Sequence, residues 1–145
     1  MGYTLVEKLL MNNTGKSSIK PGDLITVNVD RVMVHDLFAP FVIEKFKEMG
    51  FEKVWNPDKV VFVYDHLVPT SFIEDSRHHK ITDEFAKNQY IDRVHRADGI
   101  CHQLMLELRY AVPGNIVFGT DSHTTTYGAL GTSLAVWEVP NPTFF

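Results

Sequence analysis

A single cysteine, Cys101, stands in the whole 145-residue chain. That excludes an internal disulfide, and with it the stapled class of small secreted domain; the expected setting is reducing and cytoplasmic. Charge of one sign is equally scarce. The 14 Lys and Arg against 18 Asp and Glu leave a net charge of −4, which is no footprint for nucleic acid. Nothing approaches the roughly 18 consecutive apolar residues of a membrane span, so no membrane partner is expected. The start, MGYTLVEKLLMNN, lacks the charged opening and long apolar run of a signal peptide. It also carries Val6 where a myristoylation site wants Ser or Thr. There is no G-x-S-x-G elbow, no G-x-x-x-x-G-K-[ST] phosphate loop and no H-E-x-x-H zinc pair.

What is present has the balance of a globular protein, 44% hydrophobic and 22% charged, and its length suits one domain over residues 1–145. Thr4 to Met11 reads as a short helix, with Leu5, Leu9 and Leu10 at helical spacing. After a polar loop ending at Pro21-Gly22, LITVNVDRVMV reads as extended. Asp36 is expected to cap a helix over Leu37 to Met49, with Pro40 tolerated in the first turn and Gly50 closing it. KVVFVY, Lys59 to Tyr64, has the form of a strand buried on both faces. A helix over Asp75 to Asn88, a weak strand over Asp92 to His95, a helix over Gly99 to Leu108 and a strand over Asn115 to Phe118 follow. Such alternation predicts an α/β fold, a parallel or mixed sheet flanked by helices.

In such sheets ligands bind beyond the carboxyl ends of the strands. KVVFVY runs straight into Asp65-His66, and NIVFG runs into Thr120-Asp121-Ser122-His123, so two strands each deliver an acid and a histidine to that edge. Each pair has two readings. Asp65 either caps a turn beside a surface imidazole, or holds His66 protonated so that it donates to a leaving hydroxyl. Asp121 and His123 either form a plain helix cap with their neighbours, or share a site with the hydroxyls of Ser122 and Thr124, which suit a substrate carboxylate at a helix start. His102 shares a helix face with Met105 and Leu106, which favours a core histidine over a catalyst. Cys101 beside it makes a poor catalytic couple, because adjacent helical side chains diverge by about 100°. His78, His79 and His95 fall in charged runs and read as solvated faces without chemistry. A metal-dependent hydrolase built on His66, His102 and His123 stays open as an alternative, although their spacing is not that of a tight zinc motif.

Taken together, YDHLVP (Tyr64 to Pro69), GICHQLMLE (Gly99 to Glu107) and VPGNIVFGTDSHTTTYGALG (Val112 to Gly131) resemble the aconitase superfamily, in its 3-isopropylmalate dehydratase and homoaconitase branch. The opening TLVEKLL…PGDLITVNVDRVMVHD is similar as well, so the resemblance covers about residues 3–131. It implies an incomplete, N-terminal aconitase-type domain of a hydro-lyase that removes and re-adds water on a hydroxy di- or tricarboxylic acid, a step of amino-acid biosynthesis such as the route to leucine.

Position by position, Asp65 and His66 match the pair that protonates the departing hydroxyl. His102 matches the assisting histidine, Asp121 its carboxylate partner, Ser122 a substrate contact and His123 a histidine that orders the bound ligand. The resemblance also implies a [4Fe–4S] cluster in the complete enzyme, which one cysteine cannot hold. The implied partners are the hydroxy-carboxylate substrate, the cluster-bearing domains and a small subunit or swivelling domain. Alone, the chain is expected not to turn over substrate. A stand-alone domain that lacks the cluster and binds a carboxylate or a protein is the other reading. Residues 132–145 depart from the pattern and read as an atypical tail, whose Trp137, Phe144 and Phe145 are expected to favour self-association or a partner chain.

Overall fold

Val60 to Tyr64 are buried without exception and form β2, the strand around which one side of the sheet is organised. The computed structural model describes residues 2–136, with only the backbone of residues 134–136. In chain order the elements are α1 (Leu5–Thr14), β1 (Arg31–His35), α2 (Ala39–Glu48), β2 (Val60–Tyr64), α3 (Ile73–Asn88), β3 (Val94–Arg96), α4 (Cys101–Glu107), β4 (Ile116–Gly119), a 3-10 helix (Ser122–Leu130) and β5 (Ser133–Val136). The sheet order is β3-β2-β1-β4-β5, and among the described residues every pairing is parallel. Strand order reverses between β1 and β4, and that junction is the topological switch point where doubly wound sheets open a crevice.

Alternation along β2 divides the core. Val61 and Val63 join Met33, Met105, Val117 and Tyr127 beneath α4 and the 3-10 helix. Val60, Phe62 and Tyr64 join Ile43 and Phe85 beneath α2 and α3 on the opposite face. Helices on both faces explain why β2 reads as an unbroken apolar run.

Several elements differ from their sequence-based expectations. α1 is held by a capping box between Thr4 and Glu7 and runs on to Thr14, where Gly15 closes it at φ 70°. The extended stretch from Leu24 becomes a strand only at Arg31, where the ladder to β1's neighbours sets in: the Asp30 amide donates to the Ile116 carbonyl, Arg31 pairs with Val117 and Val32 with Val60. Asp36 does not cap α2. That helix starts after Phe38 with no side-chain cap, and the Asp36 carboxylate is buried elsewhere. α3 begins two residues before Asp75, whose carboxylate accepts from the amides of Ser71 and Phe72. At the start of the tail, Ser133–Val136 adds a fifth parallel strand beside β4. Trp137, Phe144 and Phe145 lie outside the described residues.

Gly119 ends β4 under the turn of the 3-10 helix. A Cβ there would strike the Thr124 side chain, landing on its Oγ1 and 2.7 Å from its Cγ2. Thr124 cannot give way, since it is fully buried and its hydroxyl donates to the Asp121 carbonyl at 2.6 Å. Gly119→Ala is therefore expected to destabilise the chain by about 1–3 kcal/mol through overpacking. Urea unfolding checks this, and an unchanged midpoint would contradict the close approach.

Candidate active site

Three adjacent strands, β2, β1 and β4, end side by side, and each ends on polar residues. β1 closes with His35-Asp36, β2 leads into Asp65-His66, and β4 leads into Thr120-Asp121. The parallel registers Met33 with Gly119 and His35 with Val63 keep these ends level. The Asp36 amide extends the ladder to the Val63 carbonyl at 3.0 Å, and the His35 amide donates to Thr120 Oγ1 at 3.2 Å.

Asp65 uses both oxygens. Oδ1 pairs with His66 Nδ1 at 2.7 Å, and Oδ2 accepts from the Cys101 amide at the start of α4, at 2.6 Å. This turns His66 Nε2 toward Asp121 Oδ2, 3.5 Å away. Asp121 is the hub on the other side. Its Oδ1 lies 2.7 Å from His102 Nε2, 2.7 Å from the His123 amide and 3.1 Å from His123 Nδ1. His102 Nδ1 in turn lies 2.9 Å from the Tyr127 hydroxyl. Burial, together with the nearby Cys101, Asp121 and Asp65, raises the Tyr127 pKa and keeps the phenol protonated. Tyr127 and Asp121 thus hold the His102 ring between them, one at each nitrogen.

Asp121 caps the 3-10 helix through the His123 amide and joins the imidazoles with the same carboxylate. Burial pushes its pKa up, but the His123 amide, the hydrogen bond and charge of His102 and the side-chain hydrogen bond of His123 outweigh that and hold it at about 2. His66 shows the reverse balance. Burial lowers its pKa, yet the hydrogen bond and charge of Asp65, then the charges of Asp121 and Asp36, prevail and raise it. The ring of His35 stacks on that of His66 with centroids 4.1 Å apart, and burial followed by the His66 charge lowers its pKa. Of the stacked pair, His66 is therefore the ring that keeps its proton to the higher pH.

Asp65, His66, His102, Asp121 and His123 therefore meet in one cluster beyond the strand ends, with Ser122 exposed beside it and its Oγ 3.4 Å from His123 Nδ1. Thr124 does not join them as a ligand contact. It is fully buried under Gly119 and braces the Asp121 backbone. The three-histidine metal set is also redrawn: ligand atoms cluster as His102, Asp121 and His123, and separately as His35, His66 and Asp121. Cys101 is no nucleophile, because it is fully buried in the core and burial, then the Asp65 and Asp121 charges, raise its thiol.

Sequence reasoning missed His35, Asp36, His79 and Tyr127. The first two carried a usable signal, a third acid-histidine pair at a strand end, which was absorbed by reading Asp36 as a cap. His79 is not on a solvated face, since its Nε2 lies 3.1 Å from buried Asp36. His95 likewise bonds Asp98 and the Tyr110 hydroxyl.

A doubly wound parallel sheet with acid-histidine pairs at its switch point defines a class of small-molecule α/β enzyme domain. The family model described as the aconitase family (aconitate hydratase) matches residues 7–136, and the chain belongs to that family. It is 41% identical over 132 residues to the 3-isopropylmalate dehydratase large subunit 1 of Methanopyrus kandleri, covering 90% of this chain and 31% of that protein. The large subunit of Aquifex aeolicus is 40% identical over 132 residues, again 90% of this chain and 31% of that one. A probable large subunit of Methanothermobacter thermautotrophicus is 40% identical over 132 residues, with 32% of its length covered and 90% of this chain. The chain thus spans about a third of the length of the curated relatives it matches. Among the described residues no helix is long and apolar enough to cross a membrane.

The electrostatics make a pH prediction. Because the folded His66 value lies above the ordinary 6.5, the Asp65–His66 pair stabilises the fold fully below pH 6.5 and loses that contribution as pH rises through the higher value. In an NMR titration the His66 ring should titrate above 6.5, and Asp65→Asn should bring it down. A ring titrating below 6.5 in the unaltered chain would refute the hold of Asp65 on His66.

Proposed function

We propose that this chain is the N-terminal catalytic portion of a hydro-lyase of the 3-isopropylmalate dehydratase type, acting on a hydroxy di- or tricarboxylic acid in leucine biosynthesis. The observation that carries the reading is the convergence at Asp121, whose two oxygens face His66 on one side and His102 on the other. Hydroxide is a poor leaving group and must be protonated as its C–O bond breaks. His66 is the acid: its Nδ1 is held by Asp65, and its Nε2–H is presented to the crevice. When that proton moves to the departing oxygen, water leaves and His66 becomes neutral. His102, fixed by Asp121 and Tyr127, and His123 orient the reacting group. Ser122 contributes a hydroxyl to a substrate carboxylate.

The [4Fe–4S] cluster expected of the complete enzyme does not fit this chain's own residues. Such clusters are held by several thiolates, and the one cysteine is buried beneath α4 with its thiol kept protonated. We assign the cluster ligands, the base that removes the carbon-bound proton and the substrate's cationic clamp to polypeptide outside this chain, and a small subunit to the assembly. Exposed Phe72, Ile73 and Ile100, which follow the carboxyl ends of β2 and β3, give those domains apolar surface to cover.

The test joins this chain to the remaining two-thirds of a 3-isopropylmalate dehydratase large subunit, with its small subunit, and measures hydration of the unsaturated acid. Turnover is expected only in the assembled form. His66→Ala should lower kcat by about 10²–10⁴-fold with a smaller change in substrate binding. Full turnover in that variant would remove His66 from the acid role. An inert assembly, where the relative's own N-terminal portion is active, would sink the reading.

A further inference from the structure

Asp36 is fully buried, and no Lys or Arg pairs with it. Taking a carboxylate out of water is costly unless its oxygens are fully hydrogen-bonded, and those of Asp36 are. Oδ1 accepts from the Leu37 amide and, from across the strand end, the His66 amide, each at 3.1 Å. Oδ2 accepts from the Leu67 amide at 2.9 Å and from His79 Nε2 at 3.1 Å. Burial pushes the Asp36 pKa up, but the Leu67 amide, His79 and the His66 amide together outweigh it, so the group remains a carboxylate. His79 is itself held, its ring stacked on Tyr64 at 4.6 Å, while the Tyr64 hydroxyl and Arg96 both donate to Asp83.

Two of the four donors belong to His66 and the residue after it. The neighbour of Asp36 in β1, His35, stacks on the His66 ring. Consecutive residues of one strand therefore grip His66 from two sides, ring and main chain. A helix cap would explain neither the burial nor the reach across to the end of β2, and α2 starts without Asp36. We propose that Asp36 is a positioning residue for His66, fixing through the His66 and Leu67 amides the turn that presents the imidazole to Asp121, with His79 of α3 as its clamp. This rests on the reading of His66 as the proton donor. The placement of the turn is tested separately from that role.

Two variants separate the bonds from the packing. Asp36→Asn keeps the shape but turns one acceptor into a donor facing Leu67 and His79. His79→Phe keeps a ring to stack on Tyr64 and removes only the bond to Asp36. In the 145-residue chain, amide exchange at His66 and Leu67 is expected to accelerate about tenfold or more in Asp36→Asn, and less in His79→Phe, relative to amides of β2. The His66 ring signals should shift in both variants. In the assembled enzyme kcat should fall about tenfold or more while KM stays within about twofold, the pattern of a lost transition-state contact. Exchange at His66 and Leu67 that merely follows β2 in both variants would overturn the proposal, as would undiminished kcat in Asp36→Asn where His66→Ala is inactive. If Asp36→Asn fails to fold, the His79→Phe exchange and ring shifts decide the question. If His66→Ala itself stays active, the hydro-lyase reading fails, while the exchange data still decide whether Asp36 sets the turn.

Discussion

The parallel pairing of β1 with β2 on one side and β4 on the other is the constraint from which the rest of the site follows. Main-chain ladders set the register, His35 against Val63 and Met33 against Gly119, and so bring three strand ends to one level. Each strand then turns off the sheet on a polar dipeptide, and parallel strands all present those dipeptides at the same edge. The alternation that sends Val61 and Val63 to one core and Phe62 and Tyr64 to the other anchors β2 between two helical layers. A one-residue slip would exchange these faces and break both cores.

On that edge the charges are distributed so that few protons have freedom. Amide and imidazole donors hold the Asp121 pKa at about 2, Asp65 raises that of His66, and burial lowers that of His35, stacked against it. Tyr127 remains a phenol and holds His102 at Nδ1. The result is one imidazole, His66, set between two carboxylates that favour its protonated form. That suits acid catalysis of water loss, in which a positioned group gives up its proton as the C–O bond breaks. It also explains why Cys101, adjacent to His102 in sequence, takes no part: its amide supports Asp65 while its thiol packs in the core.

Much of the architecture was legible because its causes are local. The buried run of β2, Pro40 in the first turn of α2 and the acid-histidine pairs after β2 and β4 all lie within short windows of sequence. Other features depended on partners far along the chain. Asp36 looks like a cap to anyone reading neighbours, but its partners are His66, Leu67 and His79. Thr124 looks like an anion-binding hydroxyl at a helix start, but Gly119 admits it into the sheet edge and buries it. β5 was missed because its extended form comes with its pairing to β4, a partner that reading neighbours does not reveal.

The sequence alone determined the class of fold, the family, and which residue types reach the ligand-binding edge, since alternation and motif order are properties of adjacent residues. Tertiary structure alone decided how Asp121 joins His66 to His102 and what the buried Asp36 does. The reason is distance along the chain. The hydrogen bonds that settle those questions join residues such as Asp36 and His66, 30 positions apart, or His102 and Asp121, 19 apart, and form only when the parallel sheet brings the strand ends together.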